Sequence, residues 1–115
     1  MNSLSNYGFI RVASAVPRVK IADCQWNISL IERMIEEAEE NHASIIVFPE
    51  LSITGYTCGD LFNSHLLLDQ TIEALNDIVC YSQEHTITII VGAPINTNNQ
   101  LFNCAVVIHK GSIIA

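Results

Sequence analysis

Apolar positions recur along the chain with two alternating periods, and the switches between them lay out its elements. Phe9 to Val16, "FIRVASAV", is a run of apolar and β-branched residues that predicts a buried first strand, stopped by Pro17. From about Ile28 the period lengthens. Leu30, Ile31, Met34, Ile35 and Ala38 share one helical face, with Asn27 as the expected N-cap and Trp26 and Ile31 as a hydrophobic staple. "SIIVF", Ser44 to Phe48, predicts a second strand. A second helix is expected from Asn63 or Ser64, with Leu68, Ile72, Leu75 and Val79 as its stripe and Asp69, Glu73 and Asp77 opposite. "TITIIVGAP", Thr86 to Pro94, reads as a third strand, and Ile95 to Gln100, "INTNNQ", as a polar loop. "LFNCAVVIH", "KG" and "SIIA" then read as a strand, a tight turn and the start of another strand.

The predicted order is β-α-β-α-β-β-β. Two strand-helix-strand units imply parallel strands joined by crossovers, an α/β architecture. There is no internal repeat, low-complexity segment or linker. The final "SIIA" has no closing turn and needs a partner strand, so the 115 residues read as the front of a single domain.

Composition narrows the class. Half of the residues are hydrophobic and 15% are charged, a globular balance. Twelve acidic residues against five basic ones give a net charge of -7. So few cations argue against a nucleic-acid surface or an anionic membrane as partner. No apolar run approaches the length of a membrane span, and the N-terminus lacks the pattern of a secretory signal. Cys24, Cys58, Cys80 and Cys104 show no metal-ligand spacing, and they read as reduced thiols of a cytoplasmic protein. Glu32, Glu36, Glu39 and Glu40 lie away from the apolar face of the first helix and read as a solvated face, with no metal site expected.

The chemistry-bearing stretch is "FPELSITGY", Phe48 to Tyr56. Glu50 stands at the carboxyl end of a strand, where parallel α/β sheets gather their sites. Pro49 stiffens the backbone and cannot extend the ladder. Apolar neighbours Phe48, Leu51 and Ile53 are expected to desolvate the carboxylate and suit it to proton transfer. On the residues alone, a structural role for Glu50, capping a helix or pairing with an arginine, stays open.

"IIVFPELSITGY" resembles the glutamate motif of the nitrilase, or carbon-nitrogen hydrolase, superfamily. "FPELSITGYTCGDLF" and the opening "YGFIRVASAVPRVKIADCQWN" resemble more narrowly the glutaminase domains of glutamine-dependent NAD+ synthetases, and "VGAP" and "LFNCAVVIHKG" follow in the same order. The resemblance covers nearly the whole chain. It implies a four-layer αββα sandwich of which residues 1–115 form the N-terminal portion, with the remainder and any synthetase domain outside this chain. It implies a Glu-Lys-Cys triad that hydrolyses the glutamine amide and supplies ammonia for ATP-dependent conversion of deamido-NAD+ to NAD+. Glu50 maps to the general base and Tyr56 to a residue of the glutamine pocket. The family's lysine and nucleophilic cysteine fall beyond Ala115. Lys110 lies in the "HKG" turn and does not replace the lysine, Cys104 reads as a small core residue, and Cys58 does not match the nucleophile. These residues alone are therefore expected to be inactive and, with apolar sheet surface left open, to self-associate; a homo-oligomer is expected. No cofactor is expected in this part, and ATP and Mg2+ belong to the absent synthetase domain. Another amidase of the superfamily, or a non-catalytic module of the same fold, are the alternatives.

Overall fold

A computed structural model of the chain describes residues 8–55 and 64–115. Strand β1 (Val12–Ser14) leads to helix α1 (Cys24–Glu40) and strand β2 (Ile45–Val47). Helix α2 (His65–Ser82) follows, then β3 (Thr88–Thr97), β4 (Gln100–His109) and β5 (Ser112–Ile113). The five strands form one sheet in sequence order. β1, β2 and β3 run parallel, with Ile46 opposite Ala13 on one side and Ile89 on the other; β4 and β5 add as antiparallel hairpins. The predicted element order and the parallel start are both present.

One face of the sheet is covered. Ile46, Ile89, Val91, Val106 and Ile108 join Ile28, Ile31 and Ile35 of α1 and Ala74, Leu75 and Ile78 of α2 in a single core. Full burial of each isoleucine or leucine contributes about 1.5–3 kcal/mol. The alternate residues, Val12, Val47, Ile90 and Val107 among them, face the other way. No described helix packs there. Hence β1, expected as a buried strand from Phe9 to Val16, is a three-residue edge strand whose flanks lie open; Phe9 is 64% and Val16 75% exposed.

Both helices correct the sequence reading. α1 begins four residues before Ile28. Its N-cap is Asp23, whose side chain accepts from the Trp26 N–H at 3.1 Å. Asn27 is a fully buried residue of the first turn. Trp26, inside the helix and 42% exposed, forms no staple, and the Lys20 ammonium sits 3.7 Å from its ring centroid. α2 starts as expected, with Ser64 as N-cap, but its buried stripe is rotated. Leu67, Thr71, Ala74 and Ile78 are inside with Leu68 and Leu75, while Ile72 is exposed and Val79 half-buried.

The acidic residues of α1 are not all solvated. Tyr81 of α2 donates to the Glu36 carboxylate at 2.9 Å and to the Glu32 carbonyl at 3.1 Å. Glu39 binds His85 and accepts from the Thr86 N–H at 3.2 Å. These contacts tie the ends of the helices together. Among the described residues no group of His, Cys, Asp or Glu side chains is placed to hold a metal ion, and no helix is long and apolar enough to cross a membrane.

The polar loop expected at residues 95–100 is instead the tip of a hairpin. β3 runs through Pro94 to Thr97, and Asn98 and Asn99, at φ of 53° and 60°, form the turn. Two consecutive positive φ values suit the twist of a two-residue hairpin loop. Pro94 is tolerated because the ladder with β2 covers only Thr88 to Ile90, so among the described residues no strand on that side requires an N–H from Pro94. Lys110 and Gly111, at φ of 45° and 80°, make the second tight turn as predicted.

Candidate active site

Glu50 lies just past the carboxyl end of β2, in the turn the sequence indicated. The strand's ladder ends when the Phe48 N–H donates to the Ile90 carbonyl at 2.9 Å, and Pro49 offers no N–H to extend it. The following turn is held by more than the proline. Leu51 sits at φ 54°, a left-handed conformation that a bulky side chain takes only when its surroundings impose it. The Gly92 N–H donates to Ser52 Oγ at 3.1 Å, and the Ile53 N–H donates to the Gly92 carbonyl at 3.2 Å. The Gly55 N–H closes onto the Leu51 carbonyl at 2.8 Å, and the Ala22 N–H reaches the Thr54 carbonyl at 2.6 Å.

Two residues make this docking possible. Asn27, fully buried, donates through Nδ2 to the Ile53 carbonyl at 2.8 Å and to the Lys20 carbonyl at 2.9 Å; its Oδ1 accepts from the Lys20 N–H at 2.7 Å. One amide thus fastens the lead into α1 to the turn that carries Glu50. Gly92 on β3 supplies the space. A Cβ there would meet Leu51 N at 2.3 Å, Pro49 O at 2.7 Å and Glu50 C at 2.9 Å, all backbone atoms. The glycine of "VGAP" is therefore needed for close approach rather than for a special φ.

The carboxylate projects into solvent beside a cavity of about 290 Å³, lined in part by Val47, Ile90, Gly92, Asn103 and Cys104. Phe48 and Ile53 turn into the core and leave Glu50 exposed, so these neighbours do not bury it as the sequence led one to expect. Asn103 of β4 donates through Nδ2 to Glu50 Oε1. The sequence gives no sign of the roles of Gly92 and Asn27 in holding this turn, and its reading left Asn103 unassigned. An asparagine in the middle of an apolar strand, a residue type depleted there, was the available signal for Asn103.

Cys104 is half-buried, packed against the core and bordering the cavity; Cys24 is buried at the start of α1, and Cys80 is exposed. Lys110 lies in the turn at the far end of β4, where the adjoining Gly111 N–H donates to Ser82 Oγ, away from Glu50. Tyr56 and Cys58 lie outside the described residues. The site as described holds one carboxylate, its amide partner, an adjoining thiol and an open cavity. That set can accept a proton from a group brought to it.

The profile of the family described as carbon-nitrogen hydrolase matches residues 11–115. The glutamine-dependent NAD(+) synthetase of Mycobacterium tuberculosis is 35% identical over 116 residues, covering 99% of this chain and 17% of the relative. The crystal structure of a glutamine-dependent NAD(+) synthetase from Cytophaga hutchinsonii superposes with a TM-score of 0.83 at 31% identity, over 90% of this chain and 18% of that one. An amidase from Nesterenkonia sp. shares the fold, with a TM-score of 0.81 at 21% identity over 92% of this chain and 41% of its own. The chain therefore spans about a sixth of the length of the synthetases it resembles.

Proposed function

The chain belongs to the carbon-nitrogen hydrolase family, and from that premise we propose that it is the N-terminal portion of a glutaminase domain in a glutamine-dependent NAD+ synthetase. The observation that carries the proposal is the position of Glu50. A carboxylate stands at the end of a parallel strand, over a cavity, on a turn tethered by Gly92, Ser52 and Asn27. Similarity to the synthetases over 99% of this chain supports the narrower substrate reading.

In this reading Glu50 is the general base of a Glu-Lys-Cys triad whose other members lie in the following part of the domain. The carboxylate takes the proton of the cysteine thiol, and the thiolate attacks the glutamine side-chain carbonyl. Glu50 hands that proton to the departing nitrogen as the C–N bond breaks, so ammonia leaves, a thioester remains and the carboxylate is ready to act again. Glu50 then takes a proton from water, hydroxide adds to the thioester, and glutamate departs as the thiol is restored. The lysine stabilises the oxyanion of each tetrahedral intermediate. Tyr56, following the tethered turn, would contact glutamine. The ammonia would serve an ATP- and Mg2+-dependent synthetase domain that converts deamido-NAD+ to NAD+.

Replacing Glu50 by Gln in the full-length protein tests this directly. Glutamine-dependent synthesis should fall by about 10²–10⁴-fold, the usual contribution of a general base, while synthesis from free ammonia is kept. Equal loss with both nitrogen donors would assign Glu50 a structural role instead.

A further inference from the structure

We infer that Asn103 is the positioning residue for Glu50, fixing one carboxylate oxygen so that the other faces the proton to be moved. The inference rests on the glutaminase reading of the site and concerns a residue that the Glu-Lys-Cys triad leaves out.

Three observations support it. First, strand alternation places Asn103 on the open face of the sheet. Val106 is buried beneath the helices and Cys104 packs against the same core, so Asn103 and Ala105 project the other way, onto the Glu50 side. Second, the backbone gives no reason for an amide here. Asn103 pairs with Pro94 in a regular antiparallel register, and asparagine is disfavoured in mid-strand. What it contributes is a side-chain donor, and Nδ2 gives its bond to Glu50 Oε1. Third, the two residues come from elements that are each fixed to β3 without the help of this bond. β4 is held along its length by β3, and the Glu50 turn is tied to Gly92 of that same β3. Both ends of the Asn103–Glu50 bond therefore hang from one strand.

A neutral amide suits this task. An arginine or lysine in the same place would hold the carboxylate in an ion pair and weaken it as a base. An amide donates one bond, carries no charge and cannot titrate. It fixes the orientation of Glu50, which is otherwise exposed and free to rotate, and leaves Oε2 free to accept a proton. Orientation of this kind is where an intramolecular proton transfer gains its rate.

The test is the pH profile of kcat/KM for amide hydrolysis by the full-length protein carrying Asn103→Asp or Asn103→Ala, with ammonia-dependent synthesis as the parallel readout. Asn103→Asp sets a second carboxylate beside Glu50. Like charges raise each other's pKa, so the acid limb should move up by about one pH unit or more. Asn103→Ala should lower kcat with glutamine by about 10-fold, short of the loss expected for the base itself. Ammonia-dependent synthesis should be unchanged in both. An acid limb that stays at the wild-type pH in Asn103→Asp, or glutamine activity in Asn103→Ala that is kept in full or falls equally with ammonia-dependent synthesis, overturns the inference. If the wild-type protein hydrolyses a different amide, the glutamine reading fails, and the same profile taken on that amide still decides the role of Asn103.

Discussion

At Gly92 an added methyl group would stand within 3 Å of three backbone atoms of the Glu50 turn, so the smallest possible substitution moves the base. Gly92→Ala should cost about 1–3 kcal/mol of stability, as overpacking does. It should also lower glutamine-dependent activity by about 10², the effect of roughly 1 Å of misplacement at a reacting group. Ammonia-dependent synthesis in the same protein should persist; a variant with full glutamine activity would contradict the close-approach argument. The sequence displayed the members of this site unequally. Glu50 was legible because a buried strand that ends on a proline and a carboxylate is an unusual local pattern. Gly92 was visible as part of a motif, but its reason is a contact with residues about forty positions earlier, which no local rule contains. Asn27 was misread for a related reason. An asparagine near a helix start is a good cap by local rules, and only the folded chain shows that Asp23 caps while Asn27 turns inward to hold Ile53.

The elements were legible wherever periodicity carried them and were misplaced where tertiary neighbours decide. β3 was cut short at Pro94 because a proline normally ends a central strand; it continues because its pairing with β2 ends at Ile90 and the Glu50 turn, not a strand, packs beyond it, at Gly92. The acidic face of α1 could not be seen to meet α2, since its partners Tyr81, His85 and Thr86 lie more than forty residues away. There Tyr81 stacks on His85 with ring centroids 4.4 Å apart, and His85 binds Glu39. This fringe has opposed pH responses. Burial pulls the Glu39 carboxyl up, but the bonds from His85 and Thr86 outweigh it and hold it below the ordinary value of 4.5. Burial, aided by the charges of Asp77 and Glu36, raises Glu32 above that value. A carboxylate with a lowered folded pKa stabilises the fold above its unfolded pKa and loses that contribution as pH falls through the folded value. Ionised Glu32 does the reverse, weakening the fold at neutral pH until protonation relieves it. Glu39→Gln should therefore destabilise the protein at pH 7, by about 0.2–1 kcal/mol for so exposed a pair, and converge with wild type below pH 4.5. Glu32→Gln should stabilise at pH 7, again converging in acid. Urea midpoints measured between pH 2.5 and 7 check both, and a pH-independent difference would contradict the assignment.

The whole molecule has one packed face and one open face. Helices cover the side of Ile46, Ile89 and Val91, while Glu50, Asn103 and the cavity lie on the side of Val47, Ile90 and Val107. In the proposed full-length protein the remaining part of the sandwich would cover that face and bring the lysine and cysteine to Glu50. The αββα arrangement was reached through the resemblance and not through periodicity, because the pattern of a strand states that a face is apolar and not what packs on it. In the proposed function this segment helps take nitrogen from the side-chain amide of glutamine and pass it to NAD+. The most direct measurement supplies the full-length protein with ATP, Mg2+, deamido-NAD+ and glutamine labelled with ¹⁵N in that amide, and follows the label by mass spectrometry. The account predicts NAD+ labelled in its carboxamide, with glutamate formed alongside it. Glutamine left intact, with NAD+ formed only when free ammonia is added, would contradict it.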